Sequence, residues 1–331
     1  MLWLKNALVS VVIKNMFLVT ADGAFLDAFA AGVSLSRKPA TAARGVVRFF
    51  KENAEAEVTV PAGTVIETER LNGTIYRLMT EVDHTLGTGT EDALVNVSAG
   101  QTGGGRNLAP GYYRILPHAV PGIAQVTTEE GWLLTPEADA ESDDELRERC
   151  RNQYNLAGNY HTDAVYRSMI EAVAGLSIDR IFFEHDEPRG PGTANAWLLL
   201  DTGVVSEPFI QAVNAYITTQ GHHGHGDDMR CFALPDTRHD LTVTLFVKNR
   251  TNFTREALTT LTAGCETLIH CAFRENAAYY VKKTWPHARF SFSSLHQMFG
   301  ALDSVAFSLS DIVSEMNVPR LRTLTLEVKD A

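Results

Sequence analysis

GWLLTPEADAESDDELRERCR, Gly131 to Arg151, marks the change of architecture in this chain. Thr135-Pro136 and then Glu141-Ser142-Asp143-Asp144-Glu145 set carboxylates at the positive end of a helix that runs on through Leu146 and closes on Arg147, Arg149 and Arg151. Ser142 or Asp139 supplies the N-cap, and Ser142 with Glu145 makes an S-x-x-E capping box. Sequence before the stretch is Gly-rich and reads as strands and loops. Sequence after it alternates helices with strands. The stretch therefore reads as a hinge, with a solvated, capped helix as the plain interpretation and a partner-facing charged face as the other.

Working back from the hinge, the first expected element is a helix: Leu4, Leu8, Val11, Val12 and Asn15 follow helical spacing and form an apolar stripe. Lys14 and Asn15 interrupt the apolar run, which leaves no stretch long enough to span a bilayer. A signal peptide cleaved near Ala21 is the competing interpretation, and it goes with a secreted carbohydrate-binding β protein. Gly23 to Gly32 reads as a short helix with Gly32 as its C-cap. Gly45 to Phe50 has strand composition, and Glu57-Val60, the turn Pro61-Ala62-Gly63-Thr64 and Val65-Thr68 form a β unit. Asn72-Gly73 signals a hairpin turn between Val65-Thr68 and Ile75-Met79. Leu94 to Ala99 is a further strand leading into the Gly-rich loop Gly100 to Gly111. That loop lacks the P-loop lysine and dinucleotide spacing, so it reads as structural.

Beyond the hinge, Thr162-Ala174 is expected as a helix stopped by Gly175, Ser177-Glu184 and Asn195-Asp201 as strands, Glu207-Thr219 as a helix and Met229-Leu234 as a strand. The order ααββαβ implies helices packed on a small sheet. Leu241-Lys248 follows as a strand, Thr254-Phe273 as a long helix, Ser293-Phe299 as a shorter one, and Val305-Leu309 and Leu321-Val328 as strands. The sequence from Met169 to Phe183 and that from Gln297 to Leu309 share a helix, a Gly-containing break and a strand, a faint internal parallel.

With 331 residues, 45% hydrophobic and 21% charged, the chain is an ordinary globular protein with room for more than one core. A net charge of −11 argues against wrapping nucleic acid or an anionic membrane. Cys150, Cys231, Cys265 and Cys271 contain no C-x-x-C pair and read as reduced thiols.

Chemistry finds few footholds. Gly221-His222-His223-Gly224-His225-Gly226-Asp227-Asp228 offers imidazoles and carboxylates of the kind zinc or nickel takes, yet the glycines give no support for a preformed site. An exposed loop is the plain interpretation. A metal-binding module or metal-dependent enzyme using His222, His223, His225 and Asp227 is the functional alternative. Glu184-His185-Asp186-Glu187 resembles an acid/base group but fits a solvated hairpin better. No G-x-S-x-G, H-E-x-x-H or Walker sequence is present. Trp132, Trp197 and Trp285 read as core or interface anchors, and Trp3, on an apolar helix with nowhere evident to bury its stripe, as a partner contact.

A set of residues in order brings a family into view: Gly23 with Leu26-Asp27, Arg37 through Pro39-Ala40, Ala43 with Gly45-Val46-Val47-Arg48-Phe49, Pro61-Ala62-Gly63-Thr64, Val97 with Ala99-Gly100, and Gly105 with Asn107. Pro121-Gly122-Ile123, Glu141 through Arg149, Val173-Ala174-Gly175-Leu176 and Pro191-Gly192 continue it. On these the chain resembles the baseplate J-like family of contractile phage tails and related injection machines, its Mu-type branch above all, over roughly residues 20 to 250. The resemblance implies a structural wedge protein that associates with other copies and other wedge proteins and closes a ring around the central hub and tail tube. That ring opens or flattens when the sheath contracts. It also implies location in the virion tail baseplate, assembly in the host bacterial cytoplasm, and contacts with sheath and tube proteins. The N-terminal helix would be a shortened form of a segment that bundles with partner chains, and the His-rich loop has no counterpart in the pattern.

Together these observations predict a multidomain α+β protein, with an N-terminal helix and β-rich domain followed by two small α+β domains whose helices pack on mixed sheets. The expected bounds are 1–35 for the helical segment, 36–130 for the β-rich domain, 131–235 for the first α+β domain and 236–331 for the second. No catalytic, cofactor-binding or metal residue is assigned, no cofactor is expected, and neither nucleic acid nor membrane is an expected partner.

Overall fold

The computed structural model describes residues 5, 8–100, 102, 105–156, 162–174, 176–224, 226–247, 254–296, 298–299, 302 and 304–331. Trp3, Gly175 and His225 lie outside the described residues, as do Lys248 and several residues of the Gln297–Leu302 break. The fold is α+β, built from several sheets and more than one core.

A π-helical turn at Leu8–Ile13 passes into a 3₁₀ turn at Lys14–Met16, and helix α1 spans Gly23–Gly32. The main antiparallel sheet comes next. Strand β1 (Arg44–Lys51) is at its centre, with Val47 and Phe49 fully buried on the inward side of an alternating pattern. One flank carries β6 (Asp92–Ser98), then β4 (Arg77–Thr80) and β3 (Val65–Glu67), and the other flank is shared by β7 (Ile123–Thr127) and β8 (Leu133–Thr135). Asn72 and Gly73, with φ of 45° and 82°, form the expected two-residue turn between β3 and β4, closed by Leu71 and Thr74.

The expected strand, turn and strand around Pro61-Thr64 are present, but the two strands do not pair with each other. Strand β2 (Val58–Val60) pairs with β5 (His84–Leu86), whereas β3 pairs with β4. Buried Thr80 is the reason: its hydroxyl donates to the Pro61 carbonyl at 2.6 Å and its backbone bonds Gly63 and Thr64, so the turn passes the chain between two ribbons.

Helices α2 (Asp143–Leu156) and α3 (Asp163–Ala174) follow, with α2 packed between α1 and α3. Leu26, Ala30, Leu146 and Cys150 form a small core between α1 and α2, and each fully buried leucine contributes about 1.5–3 kcal/mol. The expected strand at Ser177-Glu184 begins with a 3₁₀ turn at Ile178–Arg180, so β9 covers only Ile181–Glu184. Strand β10 (Thr193–Leu198) pairs antiparallel with β9 and parallel with β11 (Asp228–Ala233), giving the mixed sheet expected from the ααββαβ order. Helix α4 (Glu207–Asn214), which continues as a π turn to Thr219, crosses back between them.

In the last part, β12 (Asp236–Val247) lies between β16 (Val318–Asp330), parallel to it, and β14 (Ser304–Phe307), antiparallel. Helix α5 (Arg255–Ala272) is capped by the Thr254 hydroxyl and packs Leu268, Ile269 and Ala272 into a second large core. A short helix α6 (Ser293–His296) and the ribbon β13 (Arg289–Phe290) with β15 (Ile312–Val313) complete it. Both mixed sheets hold a central strand between one parallel and one antiparallel neighbour. The chain visits those positions in different orders, so the faint internal parallel does not extend to topology.

Candidate assembly interface

The acidic stretch is anchored at every turn. Ser142 and Glu145 form the reciprocal cap: the Ser142 N–H donates to Glu145 Oε2 at 2.9 Å, and the Glu145 N–H donates to Ser142 Oγ at 3.3 Å. Asp143, in the first turn of α2, accepts the Gly23 N–H at the start of α1 at 3.0 Å, so one carboxylate ties the two helix N-termini together. Arg37 joins Asp143 to Asp27 and donates to the Glu141 carbonyl. The Gly23 N–H, and then Arg37, hold the Asp143 carboxyl below its ordinary range.

Deeper in, Glu141 and Glu171 are buried beside Arg149 and Lys38. Lys38 Nζ lies 2.7 Å from Glu171, and Arg149 Nη1 lies 2.7 Å from both oxygens of Glu141. Burial pushes the Glu171 carboxyl up, and the two cations oppose that shift. Glu137, also buried, holds the Gly-rich loop. It pairs with Arg106 at 2.7 Å, accepts the Arg106 N–H at 2.6 Å, and exchanges backbone bonds with the Asn107 side chain. The join between the β-rich and helical parts is thus made largely of ion pairs and caps.

A second junction brings three regions together at one glycine. Gly203, at φ +77°, donates to the Arg274 carbonyl at 2.8 Å and accepts from Arg320 Nη2 at 2.8 Å, and a Cβ there would sit 2.9 Å from the Asn107 oxygen. Arg274, at 1% exposure, donates to the carbonyls of Thr284, Leu200 and Asp201 and lies over the Trp285 ring. Ala109 bonds Glu275, Asn72 bonds the Ala278 carbonyl, and Asn276 reaches Tyr112. A cleft of about 1430 Å³ opens between these regions.

Elsewhere the surface is open. Leu8, Val9, Val12, Met16, Phe17 and Val19 are 49% to 66% exposed, and nothing in the π-helical turn is buried. The described part of the expected N-terminal helix is therefore a short, irregular turn with its apolar side chains in solvent.

The His-rich loop does not gather its described members as ligands. His222 stacks on Tyr216 with 4.2 Å between centroids, His223 Nδ1 meets the Gly224 carbonyl, Asp227 accepts from the Tyr166 hydroxyl, and Asp228 pairs with Arg189. Among the described residues no three His, Cys, Asp or Glu side chains are placed to hold a metal ion. In the Glu184-Glu187 group, Glu184 accepts from Asn195 and Trp197 while His185 meets Asp163 at 3.2 Å, so the four do not act on one point. The four cysteines are buried and free. Trp132 is a core anchor, donating to the Leu108 carbonyl at 3.0 Å and lying edge-on to Tyr113. Among the described residues no helix is long and apolar enough to cross a membrane.

Residues 46–134, which run from β1 to β8, match the baseplate J-like protein barrel domain. Over 284 residues the chain is 47% identical to gp29 of Haemophilus phage HP1 (strain HP1c1), a protein named for the baseplate, with 86% of this chain and 72% of that relative covered. The chain belongs to the baseplate J-like family. The cryo-EM structure of the anti-feeding prophage baseplate, 6-fold symmetrised, aligns with 96% of this chain and 85% of that one at TM-score 0.36 and 9% identity.

Within this baseplate J-like chain, Arg37, Lys38, Asn107 and Glu141, all in the family pattern, prove to be junction residues. Gly203 and Arg274 escaped sequence reading. Their signals were slight: Asp201-Thr202-Gly203 after an apolar strand, and an arginine just past the end of an apolar helix.

Proposed function

We propose that this protein is a structural, non-enzymatic subunit of a contractile-tail baseplate, located in the virion and assembled in the host cytoplasm. The continuous likeness to a baseplate-named phage protein over 284 residues carries that reading. Copies associate with one another and with other wedge proteins into a ring around the hub, next to sheath and tube proteins. Ring closure by repeated head-to-tail contacts suits such symmetry. The exposed apolar surface between Leu8 and Val19 is the proposed first contact with partner chains.

The working units are residues 1–35, 36–130, 131–235 and 236–331. On contraction they move as bodies, and the polar contacts around Asp143, Glu171 and Gly203 are the ones that such movement loosens. Electron microscopy of assembled particles carrying a tagged copy tests this. A ring at the tail tip containing the tag is expected, and a free monomer in every preparation overturns it.

A further inference from the structure

The cleft between the regions runs along an open sheet edge. Every residue from Ser177 to Phe183 lines it, and β9 is paired on one side only, by β10. The Leu199 N–H donates to the Arg180 carbonyl, which fixes the alternation of the antiparallel ladder: Arg180, Phe182 and Glu184 turn their backbone groups to β10, and Ile181 and Phe183 turn theirs to the cleft. Leu198 confirms the phase from the other side, since its carbonyl accepts from Leu234 beside β11. The Phe183 N–H and carbonyl have no hydrogen-bond partner among the described residues.

Among the described residues, an arginine reaches over this edge. Arg167 of α3 donates through Nη2 to the Ile181 carbonyl at 3.3 Å and lies 5.1 Å from the Phe183 ring centroid. No carboxylate pairs with it among the described residues, and its buried Nε has no acceptor. Its neighbours one turn away in either direction on α3 are already engaged, Asp163 by His185 and Glu171 by Lys38. A guanidinium in that condition is a site for a carboxylate, which it binds through parallel N–H donors.

We propose that the open edge of β9 docks an extended segment of a neighbouring chain, which adds as a further strand and sets a carboxylate side chain against Arg167. Main-chain bonds to Ile181 and Phe183 supply affinity, and the Arg167 pair supplies selection. An arginine that shields an unpaired edge in the free chain becomes the anchor of its occupant. This inference concerns the isolated chain and does not depend on the baseplate role.

The probe is a labelled peptide of alternating threonine and valine with one central aspartate, titrated into the purified full chain and followed by anisotropy and amide hydrogen exchange. The aspartate peptide is expected to bind and to slow exchange over Ile181–Glu184. Its asparagine counterpart binds about tenfold more weakly, Arg167→Gln removes that difference, and N-methylation of alternate peptide amides abolishes binding. Equal binding of the two peptides, binding that survives N-methylation, or unchanged exchange over Ile181–Glu184 at millimolar aspartate peptide overturns the proposal.

Discussion

Gly203 and Arg274 are joined by a 2.8 Å backbone hydrogen bond in which the glycine N–H donates, and the same glycine passes within Cβ distance of Asn107. Three regions therefore depend on a residue with no side chain. Its φ of +77° lies where L side chains are strained, and the nearest atoms belong to backbone that cannot swing aside. Alanine at this position meets both obstacles at once.

Gly203→Ala should accordingly cost about 1–3 kcal/mol, from strain in the left-handed region and displacement of the Asn107 peptide. A lower urea midpoint would register it. An unchanged midpoint would show that the junction gives way without loss.

Arg274→Met tests the other side of that bond. The variant retains bulk but leaves the carbonyls of Leu200 and Thr284 without the guanidinium donor, while the Asp201 carbonyl keeps Lys283, and unsatisfied buried acceptors cost about 1–3 kcal/mol each before relaxation. A net loss near 3 kcal/mol is expected, with faster amide exchange around Gly203. Arg274→Lys should fall between the two, because an ammonium cannot reproduce the planar fork. Stability equal to the parent in both variants would remove Arg274 from the junction's energetics.

His270 supplies a pH dependence of opposite sign to that of most carboxylates. Burial alone would lower its pKa, but Glu275 at 2.7 Å and Glu266 at 3.9 Å outweigh burial and raise it. A raised histidine contributes stability that is full below its unfolded value of about 6.5 and is lost as pH rises through the folded pKa. His270→Gln should flatten the fall in unfolding free energy on the alkaline side of that value. An identical pH profile in the variant would exclude His270 as its source.

Legibility in the sequence followed the range of the interactions. The capping box at Ser142 and Glu145, the Asn72-Gly73 turn and the ααββαβ order are set by neighbours within a few residues, and the folded chain shows each of them. Pairing of β2 with β5 was missed because Thr80, a distant residue, grips the Pro61 turn. The ion pairs of Lys38 with Glu171 and the meeting of Gly203 with Arg274 join residues far apart in the chain, and no periodicity records such meetings. The His-rich loop shows the converse: residues adjacent in sequence turn to separate partners, Tyr216, Tyr166 and Arg189.

Asp143 now separates from the other carboxylates of the acidic stretch. It bonds the start of α1 and pairs with Arg37, whereas the Asp144 side chain is 95% exposed and, among the described residues, meets only Arg147. Lysine at all of Asp143, Asp144 and Glu145 should destabilise the chain, with Asp143→Lys carrying the larger share beside the Glu145 cap, about 1 kcal/mol or more for lost capping, and Asp144→Lys within about 0.5 kcal/mol of the parent. Acid sharpens the test. Because the folded Asp143 pKa is depressed, by the Gly23 N–H first and Arg37 second, its contribution is full above the ordinary carboxylate value of about 3.9 and is lost as pH falls through the folded pKa. Asp143→Asn should therefore be less stable than the parent at neutral pH and converge with it in acid. Parallel stability curves down to low pH would mean that the charge on Asp143 does not hold α1 to α2.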